Sequence, residues 1–318
     1  MASTTLTNAA NLHLYYEKKL LSVLEPRLVL QPLGKKQRLP KGNGKRVKWL
    51  RYSTINSSVV PLTEGTVPNE IAFTTATVQA DIEQYGQYAK VSDLLSDTAI
   101  DPVMENLSER FGIAASKTIE ELIISEISQN CANQNVNGRA NFAAIGATPG
   151  VSDVLNHKEL IEAMIRQKAD LIGPHESGDY VCVLHAHAEY DLLSDTQAGS
   201  FLDIQKYTDN RPVLNGEIGR MYGMRFLVSD KMLNSLPAVH GGPSNVVQSF
   251  VIGEEAFGVV ELNGDAMKMI MKKHGSAGAV DPLDQFATVG YKINGFAAKY
   301  LQTGSKRVIA VNSASSLT

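Results

Sequence analysis

The strongest hydrophobic pattern in the chain is a helical one between residues 102 and 129. Apolar side chains recur there every three or four positions, as one face of an α-helix requires, at Val103, Leu107, Phe111, Ala115, Ile119, Leu122, Ile123 and Ile127. Asp101 can cap this helix, and Pro102 suits its first turn. The segment predicts a helix roughly 40 Å long, which makes it a spine for the fold.

Two shorter helices are predicted from similar patterns. One helix is expected to begin with the cap-like pair Asn156 and Glu159 and to stop at Gly173-Pro174. The residues expected on its buried side are Leu160, Ile161, Met164 and Ile165. The stretch LHLYYEKKLLSVLEP predicts a short amphipathic helix that stops at Pro26.

Two segments rich in Thr, Val, Ile and aromatic residues, 45–55 and 73–91, predict strands. The connection between them, NSSVVPLTEGTVPNE, contains Pro61, Gly65 and Pro68 and is typical of a hairpin tip. An isolated long hairpin is only marginally stable in water. No neighbouring segment offers this hairpin an apolar face, so we expect its packing partner to come from outside the monomer.

The remaining segments alternate short strands and helices without the regular spacing of a dinucleotide-binding fold, which predicts an α+β protein. The chain has 318 residues, 43% of them hydrophobic, enough for one large core or two ordinary ones. No apolar run reaches the roughly 18 residues of a membrane helix, and the N-terminal residues lack a secretory pattern. We therefore expect no membrane partner and synthesis in the cytoplasm.

Charge is distributed unevenly along the chain. Residues 26–63 contain no acidic side chain and nine basic ones: Arg27, Lys35, Lys36, Arg38, Lys41, Lys45, Arg46, Lys48 and Arg51. Because the whole chain carries −3, the remainder carries −12. Such a segment can bind nucleic acid, with Trp49 and Tyr52 as stacking residues, or the acidic body of another copy. The acidic remainder would repel DNA, which favours the second interpretation.

The sequence gives no positive sign of catalysis. The stretch GNGK lacks the spacing of a phosphate-binding loop, and no serine or cysteine lies in a nucleophile motif. His185 and His187 would face one side of a strand, and Glu189 could complete a metal trio, but a strand that runs into a helix explains the same residues. Cys131 and Cys182 suggest neither a disulfide nor a zinc site. We predict no catalytic, cofactor-binding or metal-binding residues.

The order of these elements resembles the major capsid proteins of tailed phages with the Hong Kong 97-type fold, and more narrowly the podovirus N-four coat proteins. The resemblance spans residues 11–302 and rests on PKGNGKRVKWLRYS, PLTEGTVP, QYGQYAKVSD with the following DP, GEIGRMYGMRFLVSD, FVIGEEAFGVVEL and DPLDQFATVGYKINGFAAKYL.

The resemblance implies a division of the chain into sections. Residues 1–44 would form an N-terminal arm, and 45–92 an extended hairpin loop that reaches a neighbouring subunit. Residues 93–175 would form the peripheral domain, with a spine helix at 101–131. Residues 176–284 would form mainly the axial domain, and 285–318 the return strands of the peripheral domain and the C-terminus.

The resemblance also implies a function: self-assembly through pentamers and hexamers into the icosahedral head that encloses double-stranded DNA. Expected partners are further copies, scaffolding, decoration and portal proteins, and packaged DNA bound without sequence preference. The expected location is the virion, assembled in the bacterial cytoplasm. The expected inter-subunit contacts are the nine basic residues together with Trp49, Glu64 and Glu70.

Three alternatives remain open from the sequence. The chain could be a metal-dependent enzyme that uses His185 and His187, a monomeric nucleic-acid-binding module, or another virion structural protein such as a minor shell or decoration protein. Some relatives crosslink a hairpin lysine to a distant asparagine; here the tip between residues 56 and 71 has no lysine, so we predict no such crosslink.

Overall fold

The computed structural model describes residues 28–40, 42–52, 55, 59, 61–62, 64–65, 67, 70–98, 103–145, 153–175, 178–195, 217–229, 232, 246–262, 267–275, 283–302 and 304–317. The expected helix before Pro26 and the expected caps Asp101 and Pro102 lie outside these residues. The described helices are α1 (Asp93–Thr98), α2 (Val103–Asn130), α3 (His157–Ala169) and α4 (Ala186–Ser194).

Thirteen strands are described, and they form two large sheets and one two-stranded ladder. The first strands are β1 (Lys35–Leu39), β2 (Arg46–Tyr52), β3 (Thr75–Asp81), β4 (Glu83–Ser92) and β5 (Ala132–Asn135). They are followed by β6 (Tyr180–Leu184), β7 (Glu217–Met221), β8 (Met224–Val228) and β9 (Val246–Ile252). The last are β10 (Phe257–Leu262), β11 (Met267–Lys272), β12 (Phe286–Tyr300) and β13 (Val308–Ala314).

The five-stranded sheet is built around β12. Strand β4 pairs with one edge of β12, β11 and β10 share its other edge, and β1 adds to β10 in parallel. Helix α2 packs on one face of this sheet, where Ile123 and Ile127 meet Tyr291, Ile293 and Phe296 in the largest core cluster. The predicted spine helix is therefore confirmed, and its apolar stripe is the side that the sheet covers.

The six-stranded sheet has the order β5-β13-β9-β6-β8-β7. Its core includes Leu160 and Met164 of α3 and Ala188 of α4. The side chain of Asn156 accepts a hydrogen bond from the backbone N–H of Glu159, so the predicted cap of α3 is confirmed. The helix ends at Ala169, however, and Ile165 is 54% exposed, which corrects the expected burial of that residue.

The hairpin of β2 and β3 forms as predicted, from Arg46 opposite Asp81 to Tyr52 opposite Thr75. The predicted second strand is divided at Ile82, because the residues that follow pair with β12 instead. The base of the hairpin also has a partner in its own chain: Val47 and Ala80 are buried against Leu39 and Val260. The expectation that the hairpin lacks any internal core is therefore wrong for its base.

Two further outcomes concern the basic segment and the histidines. Residues 35–39 of the basic segment form the edge strand β1, which pairs with β10 of the same chain. His185 and His187 do not lie on a strand: His185 caps α4, its Nδ1 accepts the backbone N–H of His187, and His187 lies in the first turn.

The sections 1–44, 45–92, 93–175, 176–284 and 285–318 remain a prediction. The two sheets draw strands from several of them. Strands β10 and β11 join β12 in the five-stranded sheet, whereas β5 and α3 share the six-stranded layer with β13.

Candidate assembly surface

The outer half of the hairpin and its connection, residues 50–73, which we name the hairpin tip, exposes apolar side chains. Val59 and Val67 are more than 90% exposed, and the other exposed apolar residues are Leu50, Tyr52, Ile55, Leu62, Ile71 and Phe73. Tyr52 and Phe73 contact each other across the strands, with ring centroids 6.4 Å apart. An apolar surface of this extent is typical of a protein–protein interface.

The base of the hairpin is held by Trp49. A Cβ at Gly258 of β10 would lie 2.7 Å from the Trp49 ring, so the indole packs directly on the backbone of the five-stranded sheet. Its Nε1 is buried and has no hydrogen-bond partner among the described residues. Trp49, expected to contact a neighbour, thus also fixes the hairpin to its own subunit.

Two of the predicted basic residues are paired within the chain. Lys35 contacts Glu255, and Arg46 forms a two-pronged hydrogen bond to Asp81, at 2.6 Å and 2.9 Å, across the hairpin. This hydrogen bond lowers the pKa of the Asp81 carboxyl and raises the pKa of the guanidinium. Neither pair is buried, so both charges are also accessible to a second subunit.

The other predicted contact residues fall into three groups. No described carboxylate lies within ion-pair distance of Lys36, Arg38, Lys45, Lys48 or Arg51. Glu64 and Glu70 are exposed on the hairpin tip. Arg27 and Lys41 lie outside the described residues. The structure therefore places exposed cations on β1 and at the hairpin base, at Lys45 and Lys48, while Arg51 and the two carboxylates lie on the hairpin tip.

The geometry does not bring the possible metal trio together. Nowhere in the described ranges do three His, Cys, Asp or Glu side chains converge as metal ligands, and His185, His187 and Glu189 are no exception. Burial, with a smaller contribution from the charge of His187, lowers the pKa of His185. Burial raises the pKa of Cys131 to about 12 and that of Cys182 further, so neither thiol is poised to react. No described helix is long and apolar enough to span a membrane.

Comparison with known proteins identifies the family. A model of the phage capsid protein family matches residues 75–300, more than two thirds of the chain. The chain belongs to this family. The predicted function as a phage capsid protein, a subunit of the head shell located in the virion, is confirmed. No curated protein sequence matches this capsid protein.

Solved capsids share the fold. The capsid of cyanophage P-SCSP1u is 16% identical, with 91% of this chain and 89% of that chain covered and a TM-score of 0.64. The capsid of Ralstonia phage GP4 is 14% identical, with 92% and 90% covered and a TM-score of 0.64. The head of Helicobacter pylori bacteriophage KHP40 is 11% identical, with 87% of each chain covered and a TM-score of 0.61. The predicted α+β, Hong Kong 97-type fold is confirmed, whereas the narrower likeness to the N-four group stays a prediction.

The sequence pattern did not reveal the role of Glu120, which anchors the N-terminal segment of the capsid protein. Glu120 of α2 is fully buried, and its Oε1 accepts the backbone N–H groups of Val29 and Leu30 at 2.8 Å and 2.9 Å. It therefore anchors residues 29 and 30, within the expected N-terminal arm, on α2. The signal was available: Glu120 lies beside Ile119 and Ile123 on the stripe that the helix buries, where an unpaired carboxylate is costly.

A groove on the five-stranded sheet was also missed. It has a volume of about 600 Å³ and lies between β4, β12 and β11. Its lining includes Tyr88, Lys90, Ile270, Lys272, Phe286 and Lys292. Periodicity could not reveal it, because the three strands come from distant parts of the chain.

Proposed function

We propose that this capsid protein is the major coat subunit of a tailed phage. Copies assemble through hexamers and pentamers into the icosahedral head around double-stranded DNA. The observation that carries this proposal is the hairpin tip, whose apolar side chains are exposed in the single chain while its base is fixed by Trp49.

A hairpin that is fixed at its base and uncovered at its tip suits contact with the next subunit. Such a contact is head-to-tail, and repeated rotation closes it into a ring. Rings of five and six subunits joined to one another then form a closed shell, in which many modest contacts act together. The cations at the hairpin base and the acidic body supply the charge complementarity for these contacts.

In this proposal each section of the chain forms one part of the capsid subunit. Residues 1–44 serve as the N-terminal arm and 45–92 as the extended loop. The peripheral domain comprises 93–175, with the spine at 101–131, and 285–318, while 176–284 form mainly the axial domain. The strand pairing of β12 with β4 and its packing on α2 support the assignment of the return strand to the peripheral part.

The remaining partners are also part of the proposal. Scaffolding, decoration and portal proteins bind the assembling or finished shell, and lysines that face the interior contact DNA through phosphates without reading its sequence. Assembly takes place in the host cytoplasm. The protein has a structural role without catalysis, metal or cofactor.

The decisive experiment is negative-stain electron microscopy of the purified full-length protein over a range of salt and protein concentrations, combined with sedimentation. We expect closed shells, or rings of five or six subunits. A protein that stays monomeric alone and also with co-expressed scaffold would contradict the proposal. A salt-dependent monomer–DNA complex without shells would support the nucleic-acid-binding alternative instead.

A further inference from the structure

The groove of the five-stranded sheet lies on the face opposite α2. Side chains alternate along β12, so that Tyr291 and Ile293 point into the core below α2 while Phe286 and Lys292 point the other way. Gly86 and Gly290 form part of the groove lining. A Cβ at Gly290 would lie 2.5 Å from the carbonyl oxygen of Gln87, so no side chain fits there. The groove therefore has a backbone floor between raised side chains.

The walls of this groove are apolar and basic. Tyr88 is 70% exposed, and Ile270 is exposed as well. Lys90 lies over the Phe286 ring, 5.6 Å from its centroid, and Lys272 is exposed on the neighbouring strand. Among the described residues of this lining there is no aspartate or glutamate. On a protein with a net negative charge, such a surface suits an occupant that carries both apolar side chains and carboxylates.

Helix α1 has the complementary chemistry. It presents Leu94, which is 71% exposed, and Leu95 between the exposed carboxylates of Asp93 and Asp97. No described cation lies within ion-pair distance of either aspartate. The helix begins directly after Ser92, which pairs with Phe286 at the end of the groove, and the Asp93 N–H donates to the Gln285 carbonyl. The helix therefore begins at the end of the groove.

We propose that α1 of one subunit docks in the groove of a second copy, and that the second copy returns the same contact. Leu94 and Leu95 would cover Tyr88 and Ile270, while Asp93 and Asp97 would pair with Lys90 and Lys272. The groove and the start of α1 are adjacent on each subunit. A two-fold axis can therefore place α1 of each copy in the groove of the other at the same time. The inference rests on the proposed function, since it names one surface through which rings of the shell are joined.

Two other occupants fit less well. Duplex DNA would neutralise the lysines but would leave Tyr88 and Ile270 without apolar partners. The hairpin tip of a neighbour offers Glu64 and Glu70 with apolar residues, but docking it would leave the leucines of α1 uncovered. The two-fold contact covers both exposed surfaces with a single geometry.

Cysteine crosslinking between different copies tests this contact directly. The Leu94→Cys and Ile270→Cys proteins are prepared separately, mixed, assembled and oxidised, and the covalent dimer is measured on a denaturing gel. We expect dimer from the mixture and none from wild type, whose own thiols are unreactive because burial raises their pKa. No dimer from this mixture, or dimer only when Val67→Cys replaces Leu94→Cys, would overturn the proposal. In the latter case the neighbour's hairpin tip occupies the groove.

A charge exchange provides the second test. The K90E/K272E protein and the D93K/D97K protein are each expected to give at least tenfold fewer closed shells than wild type, and the protein with all four changes to recover most of them. K117E/K158E, which reverses two exposed helix cations outside the groove, is the matched control and should assemble normally. Normal assembly of either double variant, or no recovery in the fourfold variant, contradicts the docking of α1. These outcomes are separate from the proposed function, which the wild-type protein tests by itself.

Discussion

At the scale of single residues, Glu120 shows how a buried charge can connect distant parts of the chain. Its carboxylate lies inside the protein, where an unpaired charge is strongly unfavourable. The backbone N–H groups of Val29 and Leu30, about ninety residues away, supply hydrogen bonds to it. Leu30 is itself fully buried in the core around α2. The carboxylate and the leucine together hold the start of the described chain on the spine helix.

We predict that Glu120→Ala lowers the free energy of unfolding by about 3 kcal/mol, since one buried and one half-buried N–H group lose their acceptor, at about 1–3 kcal/mol for a buried group. Urea unfolding measures the change, and hydrogen exchange at the amides of Val29 and Leu30 should become faster. Glu121→Ala, on the exposed side of the same helix, is the control and should change the stability little. Equal stability of the two variants would show that Glu120 is not the anchor of this segment.

At the scale of elements, the hairpin of β2 and β3 has two parts with different roles. Its base is a folded part of the monomer, because Val47 and Ala80 are buried and Trp49 packs on Gly258. Its tip exposes apolar side chains, which do not stabilise the monomer because they remain in contact with water. Reversing the charge of Lys45, Arg46 and Lys48 together would also break the Arg46–Asp81 pair, so the sharper test spares Arg46.

We predict that K45E/K48E leaves the monomer folded but reduces shell formation at least tenfold, because the two exposed cations face an acidic partner in the assembly. Circular dichroism and thermal unfolding report the fold, and sedimentation with electron microscopy reports the shells. K117E/K158E carries the same change in net charge away from the hairpin and serves as the control. A normal yield of shells from K45E/K48E would show that the basic strand takes no part in the assembly contacts.

At the scale of the whole molecule, the two sheets are joined by chain segments that pass between them. Strand β12 forms the centre of the five-stranded sheet, and β13, which follows it closely, is paired on both sides in the six-stranded sheet. Gln167 of α3 donates to the carbonyl groups of Val251 and Lys306 and links the helix to this junction. The chain between β12 and β13 therefore connects the two sheets directly.

We predict that the assembled shell is held together without covalent bonds between subunits. The hairpin tip has no lysine between residues 56 and 71 that could form an isopeptide bond, and burial keeps both thiols protonated by raising their pKa. A denaturing gel of purified shells should show monomer alone, under reducing and non-reducing conditions. A ladder of covalent oligomers would contradict this prediction.

Local patterns in the sequence were sufficient for several elements. The apolar stripe of α2, the Asn156 cap of α3 and the pairing of β2 with β3 depend on residues close together in the chain or on a simple alternation, and the structure confirms each. The cluster of basic residues was also evident, because charge is a property of the sequence itself.

Only the tertiary structure decided which of these residues have partners. It paired Lys35 with Glu255 and buried Glu120 against the start of the chain. It also divided the predicted second strand at Ile82 and formed the groove between β4, β12 and β11. These features join residues far apart in sequence, and their geometry follows from how the sheets and α2 pack. Periodicity reports which side of an element is apolar, whereas packing decides what covers that side.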